Sequence, residues 1–182
     1  MRDAGLSMAA KQGEATGMSI AGDRPLYTPA QRARRDATPW TLVQGILAPV
    51  QFLVFAVSVV LVLRSLLTGE GVTAAHVSII VKTIVLYTIM ITGAIWEKVV
   101  FGQYLFAAPF FWEDVVSFVV IALHTVYLFG LLSGAMATRT LLLVALAAYT
   151  VYVVNAVQFV LKLRAARQQE VRDAVRCDRH TT

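Results

Sequence analysis

The chain has 182 residues, 58% of them hydrophobic, and a formal net charge of +5, with a mean hydropathy of +0.68. A water-soluble domain is about 45–50% apolar, so the excess demands lipid-contacting surface, and the length fits one domain. The positive charge does not indicate nucleic acid, because the basic residues sit in the polar ends and no zinc-ligand spacing, RNP-like pattern or basic reading helix occurs.

Residues 1–22 are rich in Gly, Ala and Ser without apolar periodicity and read as a disordered tail. No cleavable signal peptide is expected, since the first apolar run begins near Trp40 behind that tail and is too long for a signal core. Residues 23–39 form a juxtamembrane basic segment. They carry the helix-start pair Thr28-Pro29 and the cluster Arg32, Arg34 and Arg35, which predicts a short helix along an anionic leaflet.

Four apolar segments follow within residues 40–164, at 40–63, 77–96, 110–132 and 140–161. Each is roughly 20 residues, enough to span a ~30 Å hydrocarbon core as a helix. The strict alternation of a membrane strand is absent. Short connections predict an all-α, integral membrane four-helix bundle of up-down form. Residues 165–182 read as a basic tail, and the lone Cys177 lies in it, without a partner for an internal disulfide. Lys and Arg concentrate at both ends: Arg24, Arg32, Arg34 and Arg35 before the first span, and Lys162, Arg164, Arg167, Arg172, Arg176 and Arg179 after the last. The connection at 69–71 has only Arg64 beside it, and that at 133–139 only Arg139. The distribution predicts cytoplasmic N- and C-terminal tails and a cytoplasmic 97–109 loop.

Polar groups inside spans are costly unless paired or wet, and so are functional suspects. Gln44 and Gln51 share a helix face, with Pro49 between them freeing a backbone carbonyl. Glu97 and Lys98 end the second span beside Trp96, while Trp112, Glu113 and Asp114 open the third. His124, eleven residues past Glu113, lies on the same helix side about 16 Å deeper, and Asn155 and Gln158 share a face of the fourth. Simpler roles compete: Lys82 as a snorkelling lysine at the outer end, the acidic pair as macrodipole partners, the amides as helix-to-helix glue. The outer half is nearly bare of polarity apart from Lys82 and His76. Together the acidic groups outline a polar pocket rimmed by Trp96, Phe101, Tyr104, Phe106, Phe110, Phe111 and Trp112, suited to a large flat amphipathic ligand.

Residues 26–55 (LYTPAQRARRDATPWTLVQGILAPVQFLVF) and 95–128 (IWEKVVFGQYLFAAPFFWEDVVSFVVIALHTVYL) resemble the 3-vinyl bacteriochlorophyllide hydratase family, small membrane enzymes of bacteriochlorophyll synthesis in phototrophic bacteria. The resemblance spans about residues 26–164, and WEKVVFG and FFWEDV are its most distinctive segments. It implies a hydratase that adds water across the C3 vinyl of a chlorophyllide-type magnesium tetrapyrrole, giving a 1-hydroxyethyl group, in the cytoplasmic or intracytoplasmic membrane. Such chemistry needs an acid for the terminal carbon and a base-assisted water for the inner one. Glu97 or Glu113 is expected as the acid, and Asp114 or His124 to activate water. Trp96, Lys98, Phe101, Trp112, Gln51 and Asn155 are expected to bind substrate, with Lys98 on its propionate or neutralising Glu97. His124 is alternatively an axial ligand to the substrate's magnesium; no metal of the protein's own is expected. No cofactor is expected either, because Gly-rich phosphate loops, CxxC and paired-His haem motifs are missing. The expected partners are the pigment, water, the bilayer and other pigment-biosynthesis enzymes, with no nucleic acid. The rival reading is a non-catalytic pigment-binding or assembly protein; a channel or transporter should carry polar groups in both membrane halves.

Overall fold

The computed structural model describes residues 26–181; the tail expected at 1–22 and Arg24 lie outside them. Among the described residues every regular element is an α-helix: α1 (Pro29–Ala37), α2 (Pro39–Thr68), α3 (Val72–Phe101), α4 (Phe111–Ser133) and α5 (Thr138–Thr181). α1 begins in a reciprocal cap. The Thr28 hydroxyl accepts from the Gln31 amide at 3.3 Å, and the Gln31 side chain accepts from the Thr28 amide at 2.8 Å; Pro29 lacks only a donor that the first turn leaves unused. Thr38 ends α1, its amide bonding Arg34 O, and starts α2 by accepting from the Trp40 amide.

The spans are longer than the apolar segments that announce them, α2 and α3 reaching 30 residues each. Hydropathy marks lipid contact, whereas a helix continues until its last carbonyls find another arrangement. Here glycines supply it: Gly69 and Gly102 take left-handed conformations at φ 74° and 89° and turn their amides back to Ser65 O and Lys98 O. α2 runs unbroken through Pro49, and α5 continues to Thr181, so residues 165–181 extend the last helix.

α2 packs most closely with α3, and α4 with α5. α2–α5 and α3–α4 contacts join the two pairs, and α1 lies against α3. Val62, Ala75, Ile79, Tyr127, Leu142 and Tyr149 lead the main core. Outside it, side chains such as Leu67 and Leu132, each 84% exposed, would be untenable in water over so large a surface. Four helices are long and apolar enough to cross a membrane, and the chain is a multi-pass membrane protein.

A second aromatic cluster ties α1 to the bundle. Tyr27 stacks on Phe101 at 5.8 Å between centroids, and Trp96 and Phe159 meet Phe110 at 5.7 and 6.1 Å. The Leu26 amide donates to Gln169 Oε1 on α5, and Trp96 Nε1 donates to Thr41 Oγ1 at 3.0 Å. These contacts hold the residues that lead into α1 against the end of α3 and against α5, and tie α3 to the start of α2.

Glycine packing supplies a test of the α4–α5 contact. A Cβ on Gly130 would lie 2.7 Å from Met136 Sδ and 3.0 Å from Leu141 Cδ2, whereas one on Gly93 would meet only Gln44 atoms at 3.7 Å or more. Gly130→Val is expected to destabilise the bundle by about 1–3 kcal/mol, and Gly93→Ala to leave it unchanged, as read by thermal unfolding of detergent-solubilised protein through tryptophan fluorescence.

Candidate active site between α3 and α4

Residues 102–110 join α3 to α4 and fold back over the helix ends. Phe106 adopts φ 60°, a left-handed conformation costing a non-glycine residue roughly 1–2 kcal/mol. Two hydrogen bonds and a ring stack offset that strain. The Phe106 amide donates to Asp114 Oδ2 at 2.6 Å, and the Ala107 amide donates to Glu97 Oε2 at 3.2 Å. The Phe106 ring stacks on Phe118 at 5.5 Å and meets Phe111 at 5.6 Å. The loop is therefore clamped to both helices through one carboxyl on each.

Glu97 and Asp114 are 5% and 4% exposed, and because they accept from the consecutive amides of Ala107 and Phe106, their carboxyls lie side by side under the loop. Glu113 has a partner of its own. Its Oε2 forms an ion pair with Lys162 Nζ of α5 at 2.5 Å, and the same ammonium donates to Pro109 O and lies 5.0 Å from the Phe110 ring centroid. Lys162 thus balances Glu113, while no described cation forms an ion pair with Glu97 or Asp114. Two buried carboxyls set side by side cannot both carry charge cheaply. The pairing that matters links the two helices and not the sequence neighbours Glu113 and Asp114.

The remaining expected residues divide by depth. Lys98 is exposed and caps its own helix, donating to Gly102 O at 2.8 Å with its ammonium 5.2 Å from the Tyr104 ring; it does not pair with Glu97. Trp96 and Phe101 belong to the packed aromatic cluster, whereas Trp112 is 68% exposed on the outer surface. The expected aromatic rim therefore splits into an inward group and an outward face of Tyr104, Phe106, Phe111 and Trp112, to which the structure adds Phe118. Asn155 lies one turn deeper than the acid pair, its Nδ2 donating to Ser117 Oγ at 2.8 Å. Gln44 bonds across helices to Thr92 at 2.7 Å, but the buried Gln51 makes no hydrogen bond to any described residue.

His124 shares the buried stripe of α4 with Glu113, Asp114 and Ser117, but ten residues from Asp114 is about 15 Å along the axis. The two cannot act together on one carbon. Its Nδ1 lies 2.8 Å from Val120 O, so Nδ1 carries a proton and Nε2 presents a lone pair. His124 is 1% exposed, and reaching its ring with a macrocycle requires the helices to part.

Two readings from the sequence are corrected here. Lys82 does not snorkel: it is fully buried, its ammonium 4.0 Å from the Tyr152 ring centroid and 5.4 and 5.8 Å from those of Tyr149 and Phe55. Nor is the half of the bundle away from the acid pair bare. Ser58 Oγ bonds Tyr149 Oη at 2.5 Å and Ser78 Oγ at 2.8 Å, and His76 Nδ1 bonds Tyr127 Oη at 2.5 Å. Tyrosines and serines pass unnoticed in an apolar run, yet paired across helices they form a polar core. The open pocket expected for a flat ligand also takes another form. The surface grooves beside α5, about 330 and 160 Å³, are lined by Arg167, Gln168, Val171 and Arg172, and by Leu26, Lys162, Ala165, Ala166 and Gln169. Neither touches Glu97 or Asp114, which lie instead behind the outward aromatic face.

Fold and site together define a multi-pass membrane protein with a buried pair of carboxyls set just inside an exposed aromatic surface. The chain belongs to the 2-vinyl bacteriochlorophyllide hydratase family, whose family model matches residues 27–165. It is 66% identical over 146 residues to the 2-vinyl bacteriochlorophyllide hydratase of Rhodobacter capsulatus, covering 80% of this chain and 85% of that one. It is 68% identical over 144 residues to the protein of the same name from Cereibacter sphaeroides, covering 79% and 89%. No solved structure matches the chain.

Lys162 escaped sequence reasoning because it counts there only as a flanking positive charge; nothing in its spacing points to Glu113, 49 residues away. Lys162→Met leaves Glu113 buried and uncompensated and is expected to cost about 3–5 kcal/mol. Adding Glu113→Gln is expected to restore most of that loss in the same thermal-unfolding measurement.

Proposed function

We propose that the protein hydrates the C3 vinyl group of a bacteriochlorophyllide or chlorophyllide (the vinyl numbered 2 in the older ring nomenclature), with Glu97 and Asp114 as its acid–base pair. The observation that carries this assignment is the placing of two buried carboxyls, one from each helix, on consecutive loop amides directly behind an exposed aromatic face. Family membership supports the reaction class, and the geometry supports these residues for it.

The macrocycle reaches the protein from the bilayer and lies against Tyr104, Phe106, Phe111, Trp112 and Phe118, whose faces match a flat π-system. Displacement of the 102–110 loop frees the two carboxyl oxygens that its amides occupy. The proton shared by the pair passes to the terminal vinyl carbon, which becomes a methyl group, and the positive charge left on the inner carbon spreads into the ring. A water oxygen then bonds to that inner carbon, and its surplus proton returns to the carboxyl pair. One water is consumed, the product carries a 1-hydroxyethyl group, and the pair is restored. Glu113, balanced by Lys162, positions the start of α4. His124 is too deep to share the step.

The basic residues flanking the first and last spans support an up-down arrangement with both termini in the cytoplasm, which puts the acid pair and the 102–110 loop at the cytoplasmic face of the inner or intracytoplasmic membrane. Reporter fusions test this placement: a C-terminal fluorescent protein is expected to fold and a C-terminal alkaline phosphatase to stay inactive, with the reverse pattern contradicting it.

For the chemistry, membranes containing the protein are given a vinyl-bearing chlorophyllide, and the blue shift that accompanies loss of vinyl conjugation is followed. Glu97→Gln and Asp114→Asn are each expected to lower the rate roughly 10²–10⁴-fold, and the Glu113→Gln/Lys162→Met pair to lower it far less. Pigment binding without any shift in the wild-type protein would establish a carrier in place of a hydratase.

A further inference from the structure

Beyond the acid pair, one region of the core holds polar groups that the fold does not satisfy. Gln51, Lys82, His124 and Asn155 are at least nine-tenths buried. Gln51 Nε2 and Oε1, Lys82 Nζ, His124 Nε2 and Asn155 Oδ1 make no hydrogen bond to any described residue. They are gathered and not scattered. Lys82 Nζ sits against Tyr149 and Tyr152, and the His124 ring centroid is 5.9 Å from that of Tyr149. Asn155 is three residues beyond Tyr152 on α5. Gln51 is four before Phe55 on α2, whose ring is 4.8 Å from Tyr152.

The chemistry of these atoms selects their ligand. Lys82 Nζ and Gln51 Nε2 are donors, whereas His124 Nε2, Gln51 Oε1 and Asn155 Oδ1 are acceptors. An anion would answer the donors and be repelled by the acceptors; a cation would do the reverse and face the Lys82 ammonium. Water both donates and accepts, and it is the usual partner of buried polar groups that protein atoms leave unpaired.

We infer that this strip is an internal water site, and that it supplies the water consumed at the acid pair. Its inner end joins the acid pair: Asn155 bonds Ser117, which follows Asp114 by three residues on the same buried stripe of α4, about 4.5 Å along the axis. Water stored there approaches the carboxyls from the core, the side opposite the aromatic face on which the pigment lies. A hydrophobic macrocycle can then seal the lipid side of the site without cutting off the second reactant. The role of this water as reactant rests on the hydratase reading; its presence does not.

Hydroxyl-radical footprinting by X-ray radiolysis on the full-length protein in lipid nanodiscs reports water beside a side chain independently of activity. Tyr149 and Tyr152, 3% and 8% exposed, are compared with Phe52, a ring 59% exposed on the lipid-facing surface. With ordered water in the strip, the two tyrosines are oxidised about tenfold faster than Phe52. Gln51 and Asn155, expected from the sequence to bind substrate, are buried away from the outward aromatic face on which the pigment is proposed to lie. Gln51→Leu/Asn155→Leu is therefore expected to cut that labelling and to lower the hydration kcat about tenfold with KM for the pigment unchanged, which also shows that the pigment-binding fold is intact. Labelling of both tyrosines no faster than Phe52 would overturn the water site. A double variant that loses labelling but keeps wild-type kcat would overturn its role as supplier. Strong labelling in a wild-type protein that hydrates no vinyl pigment would remove the hydratase reading and leave the water site standing.

Discussion

The seating of Glu97 and Asp114 on consecutive amides of one loop organises the end of the bundle where the chemistry is proposed. Each carboxyl comes from a different helix, and each accepts a backbone amide from the loop that joins those helices. The α3–α4 seam has less direct helix packing than α2–α3 or α4–α5, so polar contacts carry more of the load there. The loop tolerates a left-handed Phe106 because two acceptors and the Phe118 face hold it. The Glu113–Lys162 ion pair completes the arrangement by tying α4 to α5 beside it.

In a bilayer this arrangement has a particular consequence. Carboxyls buried near lipid are stabilised by protein partners or by a proton, because solvent is scarce there. Backbone amides supply part of the requirement, and in the proposed mechanism a shared proton supplies the rest. The same desolvation that makes the pair costly to build makes its proton available to an apolar substrate arriving from the membrane. The unpaired donors and acceptors around Lys82 and His124 extend the polar interior behind the pair, which suits a reaction joining a lipid-soluble reactant to water.

Much of the architecture is legible in the sequence. The four spans, the cap at Thr28 and the candidate carboxyls all follow from local pattern and membrane physics. Span ends do not, because glycine conformations and not hydropathy decide where α2 and α3 stop. The site is legible only as a set of candidates. Sequence adjacency groups Glu113 with Asp114 and Glu97 with Lys98, whereas the structure pairs Glu97 with Asp114, Glu113 with Lys162, and Lys98 with its own helix end. Such partners are chosen by helix rotation and by a loop reversal that spacing does not encode. Lys82 misleads for a similar reason: a lysine near a predicted span end snorkels only if its helix face turns to lipid, and this one turns inward to three aromatic rings.

The proposed mechanism depends most directly on the state of the acid pair. Infrared spectroscopy of the protein in membranes at neutral pH distinguishes a protonated carboxyl from a carboxylate by its C=O stretch. A protonated-carboxyl band present in the wild-type protein, retained in Glu113→Gln and lost in both Glu97→Gln and Asp114→Asn, is the predicted result. A wild-type spectrum without that band, or one in which only Glu113→Gln removes it, would contradict the shared-proton pair.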